Sequence, residues 1–181
     1  MANLFLAVDL SDDERHALAA ILGDSGASDV VPGRRVPIEN WHMTLRFLGE
    51  ITEVQAETVM ARLDDTLTMG PGRIWLDGLG AFPKVSKASV IHCPVRDPAG
   101  LLDVLAATCD EAAVDAGFEH EDRPFMPHMT LARVRPPVDV RRTIAGVEPF
   151  SVPVDVICVT LMRSRSVRGG VSYDRVQRIE L

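Results

Sequence analysis

Lysine is nearly absent from this sequence. Of 19 basic residues only Lys84 and Lys87 are lysines, so almost all positive charge sits on guanidinium forks, which bind carboxylates and phosphates in two-pronged fashion. Cysteine is scarce too. Cys93, Cys109 and Cys158 are odd in number and lack CxxC spacing, which argues against a disulfide or zinc framework and for reduced thiols in a cytoplasm. No apolar run approaches the roughly 18 residues that span a bilayer. Met1-Ala2-Asn3 carries no basic stretch, and the apolar run after it ends by Asp9, so neither a membrane partner nor a secretory leader is expected. No Pro/Ser-rich linker and no low-complexity tract divides the 181 residues. The length suits one compact domain or two closely packed lobes.

The net charge of −7 argues against a long nucleic-acid duplex as partner, but the charge is unevenly spread. Residues 123–181 hold ten arginines against five acids, a net of +5, while residues 1–122 carry −12. That balance favours a small phosphate terminus over a long charged track.

What the sequence does have is one tetrapeptide written twice. His-Met-Thr-Leu stands at His42–Leu45 and at His128–Leu131, 86 residues apart, each time in an apolar setting. Alternation of this kind reads as a half-buried strand. Period 2 places His42 with Thr44, and His128 with Thr130, on one face, while the Met and Leu of each copy point to a core. A lone His-x-Thr is usually structural; two copies half a chain apart offer two imidazoles and two hydroxyls to one small anion. Two positioned imidazoles suit acid–base cleavage of a phosphate ester, one taking a proton from water and the other protonating the leaving oxygen.

Around these copies the remaining elements fall into place. Leu4–Val8 reads as a buried strand. Ser11 with Glu14 forms a capping box for a helix through Leu22, with Arg15 on its outer face. Residues 23–33 read as a loop. The first motif strand runs from about Trp41 to Leu48. Thr52 and Gln55 cap a helix bearing Ala56, Val59, Met60, Leu63 and Leu67 at helical spacing. Strands follow at Ile74–Leu79 and Ser89–Val95. Asp97-Pro98 supplies an N-cap and first helical position for the helix over Leu101–Ala113, and Gly117 fits its C′ position. The second motif strand spans about Phe125–Val134. Pro136-Pro137 opens a short helix, Val138–Ala145. Val152–Met162 and Val171–Ile179 are strands around an Arg/Gly-rich turn. Similar element order around the two motifs predicts an α+β fold: residues 1–181 form one bilobal domain of two intertwined, pseudo-symmetric lobes. Each lobe is an antiparallel sheet with helices outside, and the two enclose a central cleft.

With these residues in view, the chain resembles the two-histidine (2H) phosphoesterase superfamily. Within it, the chain is most similar to the LigT-like RNA 2′,3′-cyclic phosphodiesterases, also called the 2′-5′ RNA ligase family. The resemblance rests on Leu4–Leu10, on Glu39–Glu50 around the first motif, and on Gly80-Ala81-Phe82-Pro83. It continues through Pro127–Val134 around the second motif and the tail Leu161–Ser164, Gly170 and Tyr173. It implies that His42 and His128 are the general acid and base, with Thr44, Thr130 and Arg133 on the phosphate. The resemblance, not the residues, gives His128 the water proton and His42 the departing 3′ oxygen. Strict alternation puts Arg133 on the face opposite His128, so its role needs a bulge or a long reach. Arg46 shares the histidine face by parity and is the alternative phosphate contact. The chain departs from the family at Ser89-Val90-Ile91-His92, where an Arg-Val-Leu-Trp-like strand is usual, and at Trp41, usually aliphatic. His92 could line the cleft, but the structural reading is favoured.

The expected activity is opening of RNA 2′,3′-cyclic phosphate ends to 2′-phosphates, with no cofactor and no metal. The partner is an RNA end or a cyclic nucleotide, and the working form a monomer. Other cyclic phosphates, 2′-5′ linkages and a non-catalytic RNA-end-binding module stay open.

Overall fold

The computed structural model describes residues 2–168 and 170–181. In chain order the strands are β1 (Ala2–Asp9), β2 (Arg34–Arg35), β3 (His42–Ile51), β4 (Gly72–Asp77), β5 (Gly80–Phe82), β6 (Ala88–Arg96), β7 (His128–Val138), β8 (Ser151–Val156), β9 (Cys158–Val167) and β10 (Gly170–Glu180). The helices are α1 (Asp12–Asp24), α2 (Ala27–Val30), α3 (Glu53–Thr66), α4 (Leu101–Asp115) and α5 (Arg141–Ala145). They build an α+β fold of two antiparallel sheets. One runs β10-β9-β1-β3, the other β2-β7-β6-β4-β8 with β5 on β6. Each sheet draws strands from both halves of the chain, so the lobes interlock rather than follow one another.

β1 shows why its sequence is apolar throughout. Leu4, Leu6 and Val8 enter the main core, while Phe5 and Ala7 pack on the other face with Met162 and Tyr173. A strand buried on both faces has no polar side to present. The main core is continuous between the sheets, joining Leu6 and Met43 to Ile74, Leu76, Met129 and Val154. At positions with no exposure, such as Leu63 and Leu105, truncation to Ala costs about 2–5 kcal/mol. Both expected capping boxes form, Ser11 with Glu14 and Thr52 with Gln55. All three cysteines are free and buried, and burial pushes the Cys93 and Cys109 thiols up to about 12. No helix among the described residues is long and apolar enough to cross a membrane.

Several local expectations are corrected. The residue before α4 is Gly100, in left-handed conformation. Asp97 still serves the helix end, because its carboxylate accepts the Leu102 N–H at 2.7 Å. Pro136 and Pro137 continue β7 instead of opening a helix, and α5 begins at Arg141. They lie beyond the two residues of β7 that β2 covers, on an edge where a missing N–H costs nothing. The stretch Val152–Met162 is two strands, β8 and β9, assigned to different sheets. Residues 23–33 include the short helix α2. Arg15 is not on an outer face: it is 3% exposed and ion-paired with Asp9 and Asp12.

Candidate active site

The motif strands occupy matching places. β3 pairs with β1 and β7 with β6, both antiparallel, and β3 lies against β7. In each, Met and Leu of the motif are buried and His and Thr half-buried, as alternation requires.

Alternation then breaks at the same residue in both strands. On β3, Ala7 faces Thr44 and Leu6 faces Arg46, leaving Leu45 unopposed. On β7, His92 faces Thr130 and Ile91 faces Ala132, leaving Leu131 unopposed. These are β-bulges, and each turns the following residues to the opposite face. Past Leu131, Ala132 and Val134 join the core and Arg133 emerges exposed on the His128–Thr130 face. The bulge that Arg133 required is present. Past Leu45 the same device sends Arg46 the other way. Its guanidinium is 10% exposed, 2.7 Å from Asp110 of α4 and 3.7 Å from Glu121, and it donates to the Glu119 carbonyl. The parity that put Arg46 beside the histidines is therefore overturned, and its partners are carboxylates under the sheet.

The two imidazoles are held alike. His42 Nδ1 lies 2.7 Å from the Asn40 carbonyl, and His128 Nδ1 lies 2.7 Å from the Met126 carbonyl. A carbonyl only accepts, so each Nδ1 carries the proton and each neutral ring keeps its lone pair on Nε2. His42 Nε2 is 3.1 Å from the Thr44 hydroxyl, which donates to it. Phe5 packs on the His42 ring at 4.9 Å and Tyr173 meets it edge-on at 5.0 Å. The shared tether, a carbonyl two residues before each motif histidine, leaves no signal in the sequence, because every residue carries such a carbonyl. Asn40 adds a second anchor: its amide donates to the Val171 carbonyl at 2.6 Å and accepts the Tyr173 N–H at 3.3 Å.

Burial dominates the electrostatics of His42 and pushes its pKa down to about 4. The Asn40 carbonyl and Asp9, its cross-strand partner, oppose that shift, and the charges of His128 and Arg133 add to it. Asp9 itself is engaged by Arg15 and Arg175. On the other wall His92 is 6% exposed, stacked on Phe82 at 4.2 Å and 5.3 Å from the His128 ring. Burial and the neighbouring His128 charge push it down to about 4 as well. It packs as a neutral aromatic plate behind His128, in keeping with its structural reading.

The site thus gathers two oriented imidazoles, two hydroxyls and one guanidinium on adjoining strands. Comparison with known proteins agrees with that reading. The 2′-5′ RNA ligase superfamily profile matches residues 34–168. The chain is 34% identical to an RNA 2′,3′-cyclic phosphodiesterase of Aeropyrum pernix over 89% of this chain and 93% of that protein. It is 33% identical to one of Methanothermobacter thermautotrophicus over 98% and 97%. Among solved structures, Escherichia coli LigT complexed with 3′-AMP superposes with a TM-score of 0.81, at 26% identity, over 99% of this chain and 98% of that one. Thermus thermophilus TT0787 does so at 0.78, with 27% identity, over 99% and 97%. Two bulged motif strands, the matching profile and relatives spanning almost the full length make one conclusion: the chain belongs to the 2′-5′ RNA ligase superfamily of two-histidine phosphoesterases.

Proposed function

We propose that this protein is an RNA 2′,3′-cyclic phosphodiesterase that hydrolyses the strained ring to a 2′-phosphate by acid–base catalysis without a metal. The observation that carries the reading is the common tethering of His42 and His128 through Nδ1, which presents both Nε2 atoms, that of His42 beside the Thr44 hydroxyl, for proton transfer. Relatives at 33–34% identity that bear that name support the activity.

The cyclic phosphate lies between the two motif faces. Water attacks phosphorus opposite O3′; His128 Nε2 takes the water proton as the P–O3′ bond breaks, and His42 Nε2–H protonates O3′. Thr44, Thr130 and Arg133 hold the non-bridging oxygens, each donor contributing on the order of 3 kcal/mol to the transition state. Burial pushes the His42 pKa down to about 4 in the free protein, so the anionic substrate supplies the charge that lets it carry a proton. All these groups come from one chain, which supports a monomeric enzyme. The substrate class and three free thiols support a cytoplasmic setting.

The test is turnover of a 2′,3′-cyclic mononucleotide, with the product identified by phosphorus NMR. A 2′-monophosphate is the expected product. Binding without turnover would sink the catalytic reading, and cleavage confined to 2′-5′ dinucleotides would move the substrate.

A further inference from the structure

Beside the catalytic pair lies a second, open cavity of about 420 Å³ between β2 and the β9–β10 hairpin, walled by Arg34, Arg35, Arg168, Glu39, Asn40 and Ser172 among others. It adjoins the histidine site directly. Asn40, whose carbonyl holds His42, and Glu39 line both this cavity and the crevice around His42. Arg34 is the cross-strand neighbour of Arg133, so the guanidinium placed on the scissile phosphate and those of the cavity form one continuous band. Gly170 is part of this construction, because a Cβ there would collide with the Arg34 guanidinium.

Part of the same band lacks carboxylate partners. With 26 carboxylates for 19 basic residues, most arginines find an acid, including exposed ones such as Arg73 with Asp155, Arg96 with Asp77 and Arg165 with Asp174. Among the described residues, Arg35, Arg133 and Arg168 make no such pair, and neither do Arg135, Arg142 and Arg163, which are exposed outside the cavity. Three of the six line the cavity or sit across from it on the adjoining motif strand, where an anion from outside can stand in for a carboxylate. Three guanidinium groups against the single carboxylate of Glu39 leave the cavity net positive.

We infer that this cavity is a subsite for the phosphodiester preceding the terminal cyclic nucleotide, so that the enzyme selects a polynucleotide end over a free cyclic mononucleotide. The inference rests on the proposed function and adds a chain-length preference to it. Backbone phosphates of single strands are tracked by such positive grooves without reading sequence, and the planar fork of Arg matches two phosphate oxygens. Arg168, exposed in the β9–β10 turn, reaches the anion without any packing duty. Arg35 also donates to the Ser28 carbonyl and is less clean to remove.

The experiment compares kcat/KM for a cyclic mononucleotide and for a trinucleotide ending in the same cyclic phosphate, in the unaltered protein, Arg168→Ala and Arg168→Glu. The unaltered protein is expected to prefer the trinucleotide by about tenfold or more, the worth of one charge-assisted contact. Arg168→Ala should remove most of that preference and Arg168→Glu all of it, with mononucleotide turnover unchanged within about twofold, which also shows that the variants fold. Equal kcat/KM for both substrates, or equal losses on both in the variants, overturns the subsite and leaves the proposed function standing. No turnover of either substrate by the unaltered protein overturns both.

Discussion

Arg133 on β7 stands where Phe47 stands on β3, five residues beyond the motif histidine and past the bulge at the motif leucine. Both are exposed. One wall of the site thus presents a cation and the other an aromatic ring, although the motifs before them are identical. The asymmetry gives a direct test of the bulges. Arg133→Ala should lower kcat/KM on a cyclic mononucleotide by about 100-fold, and Arg133→Lys should still lose clearly because the fork is gone. Arg46→Ala should leave the kinetics of the folded protein nearly unchanged and lower its melting temperature instead, since it strands Asp110 and Glu121. Arg73→Ala, on the exposed ion pair with Asp155, serves as the control with neither effect. A kinetic collapse in Arg46→Ala with Arg133→Ala intact would mean the bulges are misassigned.

His42→Ala and His128→Ala should each cut turnover by at least about 100-fold, the usual contribution of a positioned acid or base. Far-UV circular dichroism should be unchanged, because both histidines are only half-buried on their strands. A variant that keeps a tenth of the rate would remove that histidine from the proton-transfer scheme.

Substrate binding should take up a proton. In the free protein burial pushes the His42 pKa down to about 4, yet the ring must be protonated to act as the acid. Calorimetry of a cyclic mononucleotide binding to His128→Ala, run near pH 6.5 in buffers of different ionisation enthalpy, should show uptake approaching one proton. Zero uptake would exchange the acid and base assignments.

Extensive treatment with EDTA should leave the rate intact. Among the described residues no three His, Cys, Asp or Glu side chains cluster as metal ligands, and the carboxylate paired across from His42, Asp9, is already held by two arginines. Loss of activity that one added divalent ion restores would establish a metal mechanism.

Stability should fall as pH drops from about 6.5 to 4. In that window the unfolded chain protonates His42 and His92 while the fold, which pushes both to about 4, resists. The unfolded state therefore binds more protons, and each histidine steepens the loss by up to about 1.4 kcal/mol per pH unit. Urea midpoints measured from pH 7.5 to 4.5 should show this slope. His92→Phe, which keeps the stack on Phe82, should flatten it; an unaltered slope would deny His92 its neutral role.

Much of the site was legible along the chain because one strand's side-chain period places His42 with Thr44 and His128 with Thr130. The capping boxes were legible for the same reason, being local chemistry over four residues. What escaped was set between strands. A bulge is a mismatch of register between two partners, and nothing within β3 alone says that Leu6 will skip Leu45, so Arg46 was placed on the wrong face. Arg15 looked like a surface residue because its partner Asp9 sits at a strand end outside the helix period. The stack of His92 on Phe82, with His128 behind, depends on the β5–β6 and β6–β7 pairings, which no single stretch of the chain shows.

The clamp of Asn40 on β10 ties the first histidine to the far end of the chain: Asn40 bonds Val171 and Tyr173, more than 130 residues away, and β1 finds its inner neighbour only in β9. Both His-Met-Thr-Leu copies are synthesised before β9 and β10. A nascent or truncated chain ending after β7 carries every proton-transfer residue, yet lacks the strands that wall His42 in and fix the loop that aims it. Contacts this distant in sequence form late and slowly, so catalytic competence waits on β9 and β10, and activity reports that these two strands have docked.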